Sequence, residues 1–135
     1  MAEFNWVKAR FECSIKAIFK KLETGAKADI AAVAEIAQQL NSQDTFEVSA
    51  FPDRFTVIRK KLGTITAVDF SVTQTEIIAT TGDETQVTLA RAVPTLNADG
   101  SCLLVMEGRE VELWQFRRTA LERLLFTNLY TASKS

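Results

Sequence analysis

At 135 residues, with 47% apolar and 24% charged side chains and a net charge of −1, the chain has the composition of one ordinary globular domain. A chain of this length can bury roughly two-thirds of the surface it exposes when unfolded. The charge balance gives no reason to expect nucleic acid or an anionic membrane as a partner, and the absence of histidine removes the commonest catalytic base.

Residues Phe4, Val7, Phe11, Ile15, Ile18 and Leu22 recur at spacings of three and four, which predicts an amphipathic helix over about 3–23. Trp6, Ala9, Cys13 and Ala17 form a second stripe on its far side. Gly25 reads as a stop, after which Ala26, Ile30, Val33, Ala37 and Leu40 predict a second helix over about 26–41. So short a connection implies an antiparallel helix hairpin.

From about residue 45 to 112 the pattern changes to short runs rich in Val, Ile, Thr and Phe, among them TFEVSAF, RFTVIRK, TITAVDFSV and SCLLVM. Turn residues such as Pro52, Gly63, Gly82 and Gly100 separate them. The connections are too short for crossover helices, so an antiparallel meander of six or seven strands is expected, able to close into a barrel or stay open. A last helix over about 113–130 should pack on this sheet. The expected fold is a single α+β domain over 1–135.

A meander followed by a tryptophan-bearing helix resembles the architecture of pleckstrin-homology-like barrels. The resemblance covers only the region after the two leading helices and implies no site residue.

Candidate chemistry is sparse. Cys13 and Cys102 lie far apart in sequence with no metal-ligand spacing and are expected to be free, buried thiols. Glu110 and Glu112 share one side of a strand, a pattern more typical of a solvated face than of paired catalytic carboxylates. NADGS lacks the remaining ligands of a calcium loop. Each of the five glycines stands singly, so there is no phosphate-cradling loop. The runs Arg59–Lys61 and Lys20–Lys21 read as solvated turns. No catalytic residue, metal site or cofactor is expected.

Charge is unevenly spread. Residues 1–45 carry six basic and six acidic side chains, residues 46–112 six and ten, and residues 113–135 four and one. A basic last helix over an acidic sheet accounts for this within one molecule. On that helix Arg118 falls on the polar face with Glu122, whereas Arg117 falls near the centre of the apolar arc. A buried guanidinium needs an acceptor, and Asp69, then Glu112, are the expected partners.

Trp6, Phe126 and Tyr130 are apolar residues left over once one core is filled, and they are the expected interaction surface. The expectation is a non-catalytic, self-associating interaction or adaptor protein. The alternative is a small-ligand-binding domain with a pocket between sheet and helices. The N-terminal stretch MAEFNWVKARFEC has charges in its first turns and no apolar run of signal length, so a cytoplasmic location is expected, with no membrane span.

Overall fold

A computed structural model describes residues 3–127 and residue 129. The chain forms α1 (Trp6–Glu12), α2 (Ile15–Gln39), strands β1 (Thr45–Phe51), β2 (Arg54–Lys61), β3 (Thr64–Val72), β4 (Ile77–Thr81), β5 (Thr88–Leu96), β6 (Cys102–Met106) and β7 (Arg109–Val111), and α3 (Leu113–Phe126). The seven strands pair in sequence order, each antiparallel to the next, in an open sheet. The α+β meander with a helix packed after it is as expected, and the sheet does not close into a barrel.

Strand alternation decides which face is core. Phe55 and Val57 of β2, Val68 and Phe70 of β3, Ile77 and Ala79 of β4, Ala90 and Ala92 of β5 and Leu104 of β6 all point to one side and are buried. Helices α2 and α3 cover that side. A chain of rings ties the layers together: Phe19 of α2 lies 5.2 Å from Phe55, Phe55 stacks on Phe70 at 4.5 Å, and Phe70 lies 6.2 Å from Phe116 of α3.

The expected helix hairpin turning at Gly25 is corrected. Helix α2 runs straight through Gly25 for 25 residues, roughly 37 Å at 1.5 Å per residue. Its apolar stripe continues unbroken from Ile18 through Leu22, Ala26, Ile30, Val33 and Ala37. The break comes earlier, at Cys13–Ser14. Ser14 adopts an extended conformation and its hydroxyl accepts from the Ala17 amide at 3.2 Å, capping α2. Helix α1 is thereby cut off, and none of its seven residues is buried.

The expectation of free thiols is also corrected, because Cys13 and Cys102 are joined by a disulfide. The bond fastens the α1–α2 junction to the start of β6 across 89 residues of chain. The two cysteines are brought together by tertiary packing, which their sequence spacing does not encode. Such bonds persist in oxidising compartments and are rare in a reducing cytosol.

Closing a loop of 89 residues stabilises a fold by about 4–5 kcal/mol on chain entropy. Replacing Cys13 and Cys102 by serine is expected to lower the urea-unfolding free energy by several kcal/mol. Thiol titration of the denatured, non-reduced protein should find no free thiol, and a count of two would contradict the bond.

Candidate interaction surfaces

Arg117 sits on α3 beside α2, with its side chain 17% exposed. Its Nε donates to Asp29 Oδ2 at 2.7 Å. The expected partners Asp69 and Glu112 are corrected. Asp69 shares a face with Ile65 and Ala67, as expected, but that is the outer face, where Asp69 accepts from the Thr56 hydroxyl at 2.6 Å. Glu112 precedes α3 and accepts from Trp114 Nε1 at 2.6 Å. The helix is rotated so that Arg117 meets α2 rather than the sheet.

Gly25 explains how Arg117 reaches Asp29. A Cβ built on Gly25 would lie 2.6 Å from Arg117 Cζ, so any side chain here would push the guanidinium from its present path across α2. Asp29 stands one turn further along, on the same face. Arg118 pairs with Glu122 at 2.9 Å on the exposed side, as expected.

A fully buried arginine was not anticipated. Arg59 is 5% exposed. Its Nε donates to Asp44 Oδ2 at 2.8 Å and a terminal nitrogen also pairs with that carboxylate. The other terminal nitrogen donates to the Leu124 carbonyl at 2.9 Å and the Thr127 carbonyl at 2.7 Å. The guanidinium lies 5.5 Å from the centre of the Phe46 ring. It satisfies carbonyls that the end of α3 would otherwise leave bare.

Beside Arg59 lies a groove of about 830 Å³. One wall is the Ala120, Arg123 and Leu124 side of α3. The other is formed by the ends of the β2–β3 and β4–β5 hairpins, including Val68, Val87 and Leu89. The cause is geometric. Seven strands spaced about 4.8 Å apart span nearly 30 Å, and two helices of about 10 Å diameter cover only two-thirds of that. Val87 is left 54% exposed at its mouth.

The expected surface of Trp6, Phe126 and Tyr130 does not form one patch in the described residues. Trp6 is exposed on α1, ahead of α2. Phe126 is half-buried and lines the cleft between α3 and the second half of α2, with Ile36. Most of the length of α2 separates them, and Tyr130 lies outside the described residues. Exposed apolar residues on the same segment as Trp6 are Phe4, Val7 and Phe11, all at least 60% exposed. Sequence periodicity assigned these three to the core because their spacing continues that of Ile15, Ile18 and Leu22.

The carboxylates Glu107, Glu110 and Glu112 remain at the surface around the β6–β7 hairpin and the start of α3. Among the described residues no three His, Cys, Asp or Glu side chains gather closely enough to hold a metal ion. No helix among them is long and apolar enough to cross a membrane.

No family model matches this chain, and no curated protein or solved structure matches it either.

Gly25→Ala is expected to destabilise the protein, although alanine is the better helix former by about 1 kcal/mol, because the new methyl displaces Arg117. In an Arg117→Ala background the same substitution should be stabilising by about 1 kcal/mol. Urea unfolding of the four proteins checks the reversal of sign. An equal effect in both backgrounds would show that Arg117 does not lie over Gly25.

Proposed function

We propose that the protein is a non-catalytic interaction module that works by self-association, with its N-terminal helix as the contact element. The observation that carries this reading is the exposure of Phe4, Trp6, Val7 and Phe11 on one short segment with no buried residue in the helix. Each aromatic buries roughly 200 Å² when covered, so three of them in water are a large unfilled demand on a small domain. The segment is also held in place, because the disulfide anchors its end to β6 and Phe4 rests against Gly100 in the β5–β6 turn. A preordered apolar element costs less to dock than a floppy one.

A second reading, binding of a small apolar ligand, is supported by the groove beside α3, whose volume is in the range of known ligand sites. The oxidised Cys13–Cys102 pair supports placing the protein in a compartment where disulfides persist rather than in the reducing cytosol.

Light scattering across a concentration series is expected to show the mass rising to a multiple of the monomer mass. A Trp6→Ser/Phe11→Ser variant should stay at the monomer mass over the same range. A wild-type protein that stays strictly monomeric, while an apolar dye titrates the groove at one site, would favour the ligand reading instead.

A further inference from the structure

The geometry points to a specific arrangement of that association: helix α1 of one copy docks in the groove between α3 and the β2–β3 and β4–β5 hairpins of a second copy, and reciprocally. This rests on the self-association reading and names its partner surfaces.

The groove has the place of a missing helix. The inner face of the sheet carries two helices where its width calls for three, and the open strip is walled by Ala120 and Leu124 on one side and Val68, Val87 and Leu89 on the other. The chain also has one helix, α1, none of whose residues is buried. Val7 and Phe11 stand four residues apart on one face of α1, with Phe4 ahead of them, the anchor spacing of a helix laid into an apolar groove.

The groove of the same molecule is out of reach. Helix α1 sits at the Val72 end of β3, where Arg10 and Cys13 share a hollow with Gln74 and Thr75 of the β3–β4 turn. The groove sits at the Thr64 end of β3. Nine strand residues separate the two ends, about 27–30 Å. With Cys13 fixed to Cys102, a helical segment back to Phe4 extends only about 14 Å. An α1 that fills the groove must therefore come from another copy. Two copies side by side in opposite directions place each α1 at the other's groove, a closed two-fold arrangement.

Charge and area agree with this. Lys61 and Arg123 stand at the groove and make no ion pair among the described residues. Glu3 and Glu12 flank the apolar residues of α1, and Glu12 is held only by an exposed contact to Lys8 at 3.8 Å. The exposed parts of Phe4, Val7 and Phe11 amount to about 350 Å² per copy, so two reciprocal contacts with their groove walls reach roughly 1,400 Å², within the range of a standard stable interface.

The test is complementation between two variants changed only at exposed residues, with circular dichroism to confirm that each folds. Val7→Glu/Phe11→Glu spoils α1 and leaves the groove intact. Lys61→Glu/Val87→Glu spoils the groove and leaves α1 intact. By analytical ultracentrifugation the wild type is expected to dimerise and each variant alone to dissociate at least a hundredfold more readily. An equimolar mixture should recover heterodimer, because one of the two docking contacts is whole. A wild type monomeric throughout overturns both this arrangement and the self-association reading. If the wild type dimerises and the groove variant dimerises equally well, or if the mixture recovers nothing, self-association stands and the docking of α1 in the groove is overturned.

Discussion

One buried cation organises the end of the molecule where three segments meet. Arg59 lies on β2, takes its countercharge from Asp44 in the connection between α2 and β1, and gives its remaining donors to the last carbonyls of α3. A guanidinium keeps its charge at any ordinary pH, so leaving it unpaired in this setting would cost several kcal/mol. Its fork of donors also explains why lysine would not serve: one ammonium cannot face a carboxylate and two carbonyls in fixed directions at once. Position and chemistry together set where α3 ends and therefore where the wall of the groove stands.

The opposite end of the sheet is secured by different means. There the Cys13–Cys102 disulfide joins the helical layer to β6, and the stacked rings of Phe19, Phe55, Phe70 and Phe116 fill the space between the two fastenings. Along the helices, Arg117 crosses α2 at Gly25 to Asp29 and sets the rotation of α3 about its axis. The result is a rigid frame with one helix projecting at one end and an unfilled helix-sized groove at the other. An exposed element that is already ordered leaves little ordering to be done on contact.

Much of the fold was legible in the sequence and much of the site was not, for separable reasons. The meander could be read because alternation and turn residues are local signals: Phe55 and Val57, then Val68 and Phe70, declare the inner face strand by strand. The same parity places Arg59 inward, two residues after Val57, and that signal was available beneath the RKK run that reads as a solvated turn. The break between α1 and α2 was misplaced because Gly25 looks like a stop, although the spacing from Leu22 to Ala26 to Ile30 passes over it without a change of phase. The helical face that Arg117 occupies was identified, but whether that face met the sheet or α2 depends on how α3 rolls, which no local pattern fixes. The disulfide and the exposure of Phe4, Val7 and Phe11 are tertiary facts. An apolar stripe has the same spacing whether it is covered by its own chain, by a second copy or by nothing.

The frame stands or falls with the pairing at Arg59, and a double-mutant cycle measures that pairing directly. Arg59→Met, Asp44→Asn and the double variant, compared with the wild type by urea unfolding, isolate the coupling between the two side chains. The account predicts that each single change costs about 3 kcal/mol or more, and that the double variant is less destabilised than the sum of the singles by about 2 kcal/mol. Strict additivity of small single effects would contradict it, and would mean that the end of α3, and the groove beside it, are held by something else.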